Sequence, residues 1–265
     1  MASSPTTTST PPRFPEKYGL VSSDGVKVTV PASILRQSQP LWNMIESNGY
    51  NSEPIPFCDP VIEASHIVRL FIDLMTGVKI ANSIINPGHQ AAHFVSTGVN
   101  QETALCQTLL FAHKWEFETA SHLVKANLAL ILRLSPHMTA ISSSHPEIGF
   151  TTFRTAACLD DEQLAVKAVA AMEGQKNSTN FHYRFDYDKS GNTIPHVPRT
   201  DVGTWSLEDF MDVPHTYLYA LARAGMAAHE KYSQAKLYSR DVGERFQHFL
   251  NIAKSESAGI VSANR

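Results

Sequence analysis

Six consecutive residues, Asp186-Tyr187-Asp188-Lys189-Ser190-Gly191, set oxygen-bearing side chains at alternate positions before a glycine, which is how a calcium-binding loop opens. Such a loop closes its shell with a bidentate glutamate at its twelfth position. Here that position is Val197, and the tenth is Pro195. The residues just upstream, Phe181, Tyr183, Phe185 and Tyr187, alternate with His182, Arg184 and Asp186 as a strand does. The segment therefore reads as one arm of a hairpin running into its turn, and no metal is expected on it. The 12 histidines are scattered; His89 and His93 have the closest spacing, but they fall in a stretch that carries Pro87 and Gly88. Cys58, Cys106 and Cys158 form no Cys-x-x-Cys pair and read as reduced thiols of the cytoplasm or nucleus. There is no Gly-x-Ser-x-Gly elbow, no phosphate-binding loop and no dinucleotide fingerprint. The sequence thus nominates no catalytic residue, no cofactor site and no metal site, and the chain is not expected to be an enzyme. Catalytic groups distant in sequence can converge on folding. A small hydrolase or metal enzyme with its site in the C-terminal half is therefore the alternative from another class.

Side chains suited to recognition are easier to find. Trp42, Met44 and Ile45, followed by Glu46, lie in a helical stretch that starts at Pro40. Tryptophan and methionine often anchor interfaces. These residues are the candidate partner-binding set, although their apolar members could be core, exposed or divided between the two, and core is the favoured reading. Trp115 to Phe117 reads as packing where two helices join. The aromatic stripe Phe181 to Tyr187 could pair within the C-terminal half or present an edge to an added strand.

The elements that position these residues follow from composition and periodicity. The chain has 265 residues, 43% of them hydrophobic and 18% charged, so it is globular and large enough for one or two cores. A net charge of -3 gives no attraction to phosphate backbones or anionic lipid, and no apolar run reaches the roughly 20 residues of a membrane helix. Neither nucleic acid nor membrane is an expected partner. Residues 1–17 are rich in Ser, Thr and Pro and read as a disordered tail. Residues 18–133 form a first domain, interrupted by a long loop at 79–100. Residues 145–254 form a mostly helical second region with one hairpin, and 255–265 read as a polar, frayed end. Within the first domain, Asp24-Gly25 supplies a hairpin turn, and Val26, Val28 and Val30 alternate with Lys27 and Thr29. Pro54-Ile55-Pro56-Phe57 suits a sheet edge. Ile67, Leu70, Phe71, Leu74 and Met75 mark an amphipathic helix closed by Thr76-Gly77. A helical pair follows over Thr103 to Lys114 and Glu118 to Leu132, with Leu123, Val124, Leu128, Ile131 and Leu132 inward. In the second region, Ser142 to Pro146 reads as a joint. Helices are expected over Phe150 to Leu159, Asp161 to Glu173, from Pro214 onward, and over Asp241 to Ala253. The fold class is α+β.

The order of these pieces, with their residues, resembles the BTB/POZ fold and the related Skp-type ubiquitin-ligase adaptors. Leu20-Val21-Ser22-Ser23-Asp24-Gly25 and Val28-Thr29-Val30 look like the family's opening hairpin. Ile34-Leu35-Arg36-Gln37-Ser38 and Trp42-Asn43-Met44-Ile45-Glu46 sit where the Skp branch has Gln-Ser and an Asn-Met-hydrophobic-Glu run. Glu53-Pro54-Ile55-Pro56-Phe57 matches the edge strand, and Leu109-Leu110-Phe111-Ala112-His113-Lys114-Trp115 the later helical pair. The second region, including Phe153-Arg154-Thr155-Ala156-Ala157, looks like the helical C-terminal part of BTB proteins common in mushroom-forming fungi. The resemblance implies a small sheet capped by helices and a protein–protein interaction module. Its most concrete version is a substrate adaptor binding a cullin, since Met44-Ile45-Glu46 fits the hydrophobic-x-Glu pattern associated with that contact. A transcriptional or scaffold regulator without its own DNA-binding site is the next. The chain also departs from the family. Pro31 and Ala32 stand where many BTB domains have His-Lys, and Ser255 to Arg265 lacks the acidic Trp-Cys-Glu end that grips F-box proteins. The Ser/Thr/Pro tail has no apolar alternation with which to supply a swapped strand, so a strand-swapped homodimer is not expected.

Overall fold

Gly25 takes φ +80 at the first chain reversal, a conformation that glycine reaches without strain, and its N–H donates to Ser22 O at 2.8 Å. Around this turn β1 (Lys17–Val21) pairs antiparallel with β2 (Lys27–Pro31). The computed structural model describes residues 15–48, 53–77, 100–138, 149–174, 185–187, 193–195, 202, 205–231 and 238–263. The chain divides into two units, the first comprising Met1–Lys79 with Leu110–Ser121 and the second Ile80–Leu109 with His122–Arg265.

In the first unit, Val30 is buried while Lys27 and Thr29 are exposed, as the alternation requires. Two helices follow, α1 (Ala32–Leu35) and α2 (Gln39–Ser47). The chain then returns as β3 (Ile55–Pro56), parallel to β1, giving a mixed sheet of order β2-β1-β3. Pro56 is tolerated because β3 is an edge strand. In α3 (Ser65–Met75), Ile67, Val68, Leu70, Phe71 and Leu74 are buried, and Gly77 at φ +78 ends the helix. Ala64 at its N-cap has no side chain with which to cap. Asp24 substitutes from the hairpin turn, its carboxylate accepting from Ser65 N at 3.0 Å and Ser65 Oγ at 2.6 Å. Two longer helices, α4 (Gln101–Lys114) and α5 (Glu118–Met138), contain the boundaries between the units. Their Leu110–Ser121 stretch completes the first core: Phe111 and Phe117 lie 5.1 Å and 4.6 Å from Phe71 between ring centroids, and Phe57 is 5.6 Å from Phe111.

The second unit holds the remaining parts of α4 and α5 and then α6 (Phe150–Cys158) and α7 (Glu162–Gly174). Asp161 caps α7 by accepting from Leu164 N at 3.0 Å. β4 (Phe185–Tyr187) and β5 (Thr193–Pro195) pair antiparallel, so Phe185 and Tyr187 of the aromatic stripe lie in a hairpin arm, and 181–184 lie outside the described residues. Next come α8 (Leu207–Met211), α9 (His215–Lys231) and α10 (Tyr238–Ala263). The core here joins Phe153, Tyr217 and Phe246, with Phe153 5.7 Å and Tyr217 6.2 Å from Phe246. Leu218, Leu221 and Leu250 are buried with them.

The described residues are mostly helical with a small mixed sheet, which places them in the α+β class. Several expectations need correction. Leu123 is exposed, because the inward stripe of α5 runs through Ala120, Val124, Leu128 and Ile131 and leaves Leu123 at its margin. The last helix does not end at Ser255 but continues to Ala263; Ser255 and Ser257 bond back to Ile252 O and Ala253 O, so polar composition did not break it. Helix α8 was not anticipated, although Ser206 followed by Asp209 is a local cap signal: Ser206 Oγ accepts from Asp209 N at 3.1 Å. Of the expected 1–17 tail only 15–17 are described, and Lys17 already belongs to β1. Nearly all of the 79–100 loop, the joint at 142–146, and 188–192 with Val197 lie outside the described residues. Among the described residues no helix is long and apolar enough to cross a membrane.

Candidate partner-binding surface

Helix α2 starts where Ser38 Oγ accepts from Leu41 N at 3.2 Å, with Pro40 in the first turn where its missing N–H costs nothing. Leu41 and Ile45, four apart, are buried and set the phase of the helix. The candidate residues then separate. Ile45 is core. Trp42 and Met44 are half-buried at the flanks, and Glu46 is exposed. Trp42 Nε1 donates to Glu46 Oε1 at 2.8 Å, and the Arg36 guanidinium carbon stands 4.8 Å from the Trp42 ring centroid. One flank of α2 thus carries the Trp42 indole and the Glu46 carboxylate with the Arg36 guanidinium against the indole, and Met44, two residues from each, stands on the other flank. Such a face can offer a partner a flat aromatic surface and charges of both signs.

Beneath it lies Tyr18, its ring edge-on to Trp42 at 6.2 Å. Burial raises the Tyr18 pKa, with the Arg36 charge opposing. The buried hydroxyl makes no hydrogen bond to protein. Tyr18→Phe is therefore expected to raise the stability of the first unit by about 1 kcal/mol, seen as a higher urea midpoint. A lower midpoint would show that the hydroxyl has a partner in solution.

Other polar clusters matter structurally and were not visible in the sequence. Glu63, nearly fully buried, accepts from Cys58 N at 2.8 Å, Asp59 N at 2.7 Å and Trp115 Nε1 at 3.0 Å, and pairs with Lys114 Nζ at 2.7 Å. Burial alone would raise its pKa; the Lys114 ammonium and the two amides outweigh it and hold the carboxyl below the ordinary range. Glu102, buried in α4, accepts from Gly149 N at 3.0 Å, Thr152 N at 3.0 Å and Thr152 Oγ at 2.6 Å. Here burial prevails and the pKa is raised. Cys106 is pushed up to about 12, by burial first and by the Glu102 charge second, so its thiol is not nucleophilic at neutral pH.

Lys254 bridges Asp160 and Glu162 at 2.5 Å and 2.6 Å, and Tyr217 donates to Asp160 at 2.9 Å. Burial would lower the Lys254 pKa, but the two carboxylates raise it. Burial and then Asp160 raise that of Tyr217. An amine nucleophile or phenolate base needs the opposite shift. This cluster ties the starts of α7 and α9 to Lys254 within α10. Among the described residues no group of three or more His, Cys, Asp or Glu side chains is placed to hold a metal ion. No protein-family model, curated protein or solved structure shows significant similarity to the chain.

Proposed function

We propose that the chain is a protein–protein interaction module whose first unit is a BTB/POZ-like domain docking a partner through the outer face of α2. The reading rests chiefly on the order and pairing of elements in that unit. A hairpin, two short helices, a short edge strand and a core helix follow one another there, and a helical pair divided between the two units comes next, which is the order on which the sequence resemblance rests; the edge strand pairs parallel to the first. Trp42, Met44 and Glu46 lie where a partner can reach them, while Ile45 fastens the helix to the core. In its most specific form the module is a cytoplasmic or nuclear substrate adaptor that binds a cullin.

The test is affinity purification of the tagged chain from its own cells beside a Met44→Lys, Glu46→Lys variant. A charge at Ile45 would unfold the unit and is avoided; Lys at the half-buried Met44 can carry its charge out to water. A cullin enriched by the wild type and lost from an equally stable variant is the expected result. A different stoichiometric protein lost in the same way would keep the module and remove the ligase. Partners unchanged by the variant, or no partner at all, would overturn the docking surface.

A further inference from the structure

Helix α8 turns large apolar side chains outward. None of its 5 residues is buried: Leu207 is 77% exposed, Met211 71% and Phe210 37%. These three stand at i, i+3 and i+4, so they share one face. Of the six large apolar side chains exposed among the described residues, four (Leu207, Phe210, Met211 and Tyr219) fall between positions 207 and 219. Tyr219 stands on α9, and the other three share the α8 face, where neighbouring exposed apolar side chains suit an interaction site as scattered singles do not.

So short a helix does not persist in water by itself. Its ends are fastened. Ser206 caps it, with Ser206 Oγ also donating to Asp209 Oδ2 at 2.7 Å. From α6 the Arg154 fork gives Nη1 to Asp209 at 2.5 Å and Nη2 to Asp212. Trp205, just before, packs edge-on against Phe150 at 4.9 Å, and Val213, just after, is buried. The protein therefore orders a segment in which Leu207 and Met211 stay largely exposed and Phe210 is only partly covered. Holding them in place beforehand lowers what a partner must order on binding.

The rim chooses the partner. Among the described residues, Glu208 is exposed at the border of the apolar face, and Asp209 and Asp212 beside it share one Arg154 guanidinium. That surplus of negative charge would oppose an identical face across a two-fold axis, and would repel anionic lipid. We propose that Leu207, Phe210 and Met211 form an anchor that seats in an apolar groove edged by lysine or arginine on a partner protein. This holds whatever the α2 face of the first unit binds.

The probe is a fluorescein-labelled helical peptide of about five turns, leucine on one face and lysine elsewhere, beside a twin with glutamate for lysine. Both are titrated with the full-length chain by fluorescence anisotropy. The leucine/lysine peptide is expected to bind and its twin not to. Leu207→Asp with Met211→Asp should weaken binding about tenfold or more, and Glu208→Lys several-fold. Val61→Asp, which removes an exposed apolar side chain of the first unit, should bind as wild type. The circular dichroism melt of the double variant should match wild type, because Leu207 and Met211 are largely exposed. Equal affinity for both peptides, binding untouched by the double variant, or no binding overturns the proposal. A concentration-dependent dimer abolished by the double variant also overturns it, by assigning the face to a second copy.

Discussion

Gly149→Ala is expected to destabilise the second unit by about 3 kcal/mol, read as a large fall in the urea midpoint followed by circular dichroism. Two causes add. Gly149 has φ +107, which an L side chain adopts only under strain of about 1–3 kcal/mol. An added Cβ would also lie 2.9 Å from Ala168 O and 3.0 Å from Met172 Cγ on α7. The methionine end can move, but the carbonyl belongs to a helix backbone and cannot. If the start of α6 shifts to make room, the Gly149 N–H loses Glu102, and a buried carboxylate is left with fewer donors. Gly77→Ala provides the comparison. That glycine has φ +78 but open space around it, so its replacement should cost only the strain, about 1 kcal/mol. Equal losses at the two positions would mean that the α6–α7 packing absorbs the clash.

The Gly149 site also explains which features the sequence concealed. Alternation at Val26, Val28 and Val30 and the apolar stripe of α3 were legible because burial repeats with the period of the element. The turn at Asp24-Gly25 was legible because positive φ leaves few residue choices. The caps of α3 and α6 were not. Their N-cap positions are Ala64 and Gly149, which signal nothing, and the capping carboxylates come from Asp24 and Glu102, each more than forty residues away. A local scan for Ser, Thr, Asp or Asn at a helix start finds neither. The candidate site was half legible. Leu41, Trp42, Met44 and Ile45 announce a helix, but which of them faces inward depends on how α2 is phased against the sheet. Sequence spacing left Ile45 and Trp42 equivalent; the fold buries the first and leaves the second at the flank. The continuation of α10 past Ser255 was missed for a related reason: an exposed last stretch needs no apolar stripe to remain helical.

Glu63→Ala is expected to cost the first unit about 3 kcal/mol, measured by urea unfolding with tryptophan fluorescence. Trp115 is itself one of the groups that lose their acceptor. The substitution leaves the part-buried amides of Cys58 and Asp59 and the Trp115 indole N–H without the oxygens they now share; a fully buried unsatisfied donor costs about 1–3 kcal/mol, and each of these three costs toward the lower end of that range. Lys114 adds less to the loss, because its side chain is 42% exposed and water can replace the carboxylate. The pH dependence distinguishes this account from a simple loss of packing. Glu63 has a folded-state pKa below its unfolded value, so the stability it contributes is present above the ordinary carboxyl range near 4.5 and is lost as pH falls through the folded value. Glu102 acts with the opposite sign: its raised pKa favours folding on the acid side, and that gain declines as pH rises above the same range. Both residues remain in the wild type, whereas the variant keeps only Glu102. The gap between wild type and Glu63→Ala should therefore be widest near neutral pH and narrow steadily as the solution is acidified below about 4.5. A gap of the same size at every pH would assign the loss to packing alone and remove the carboxylate from the account.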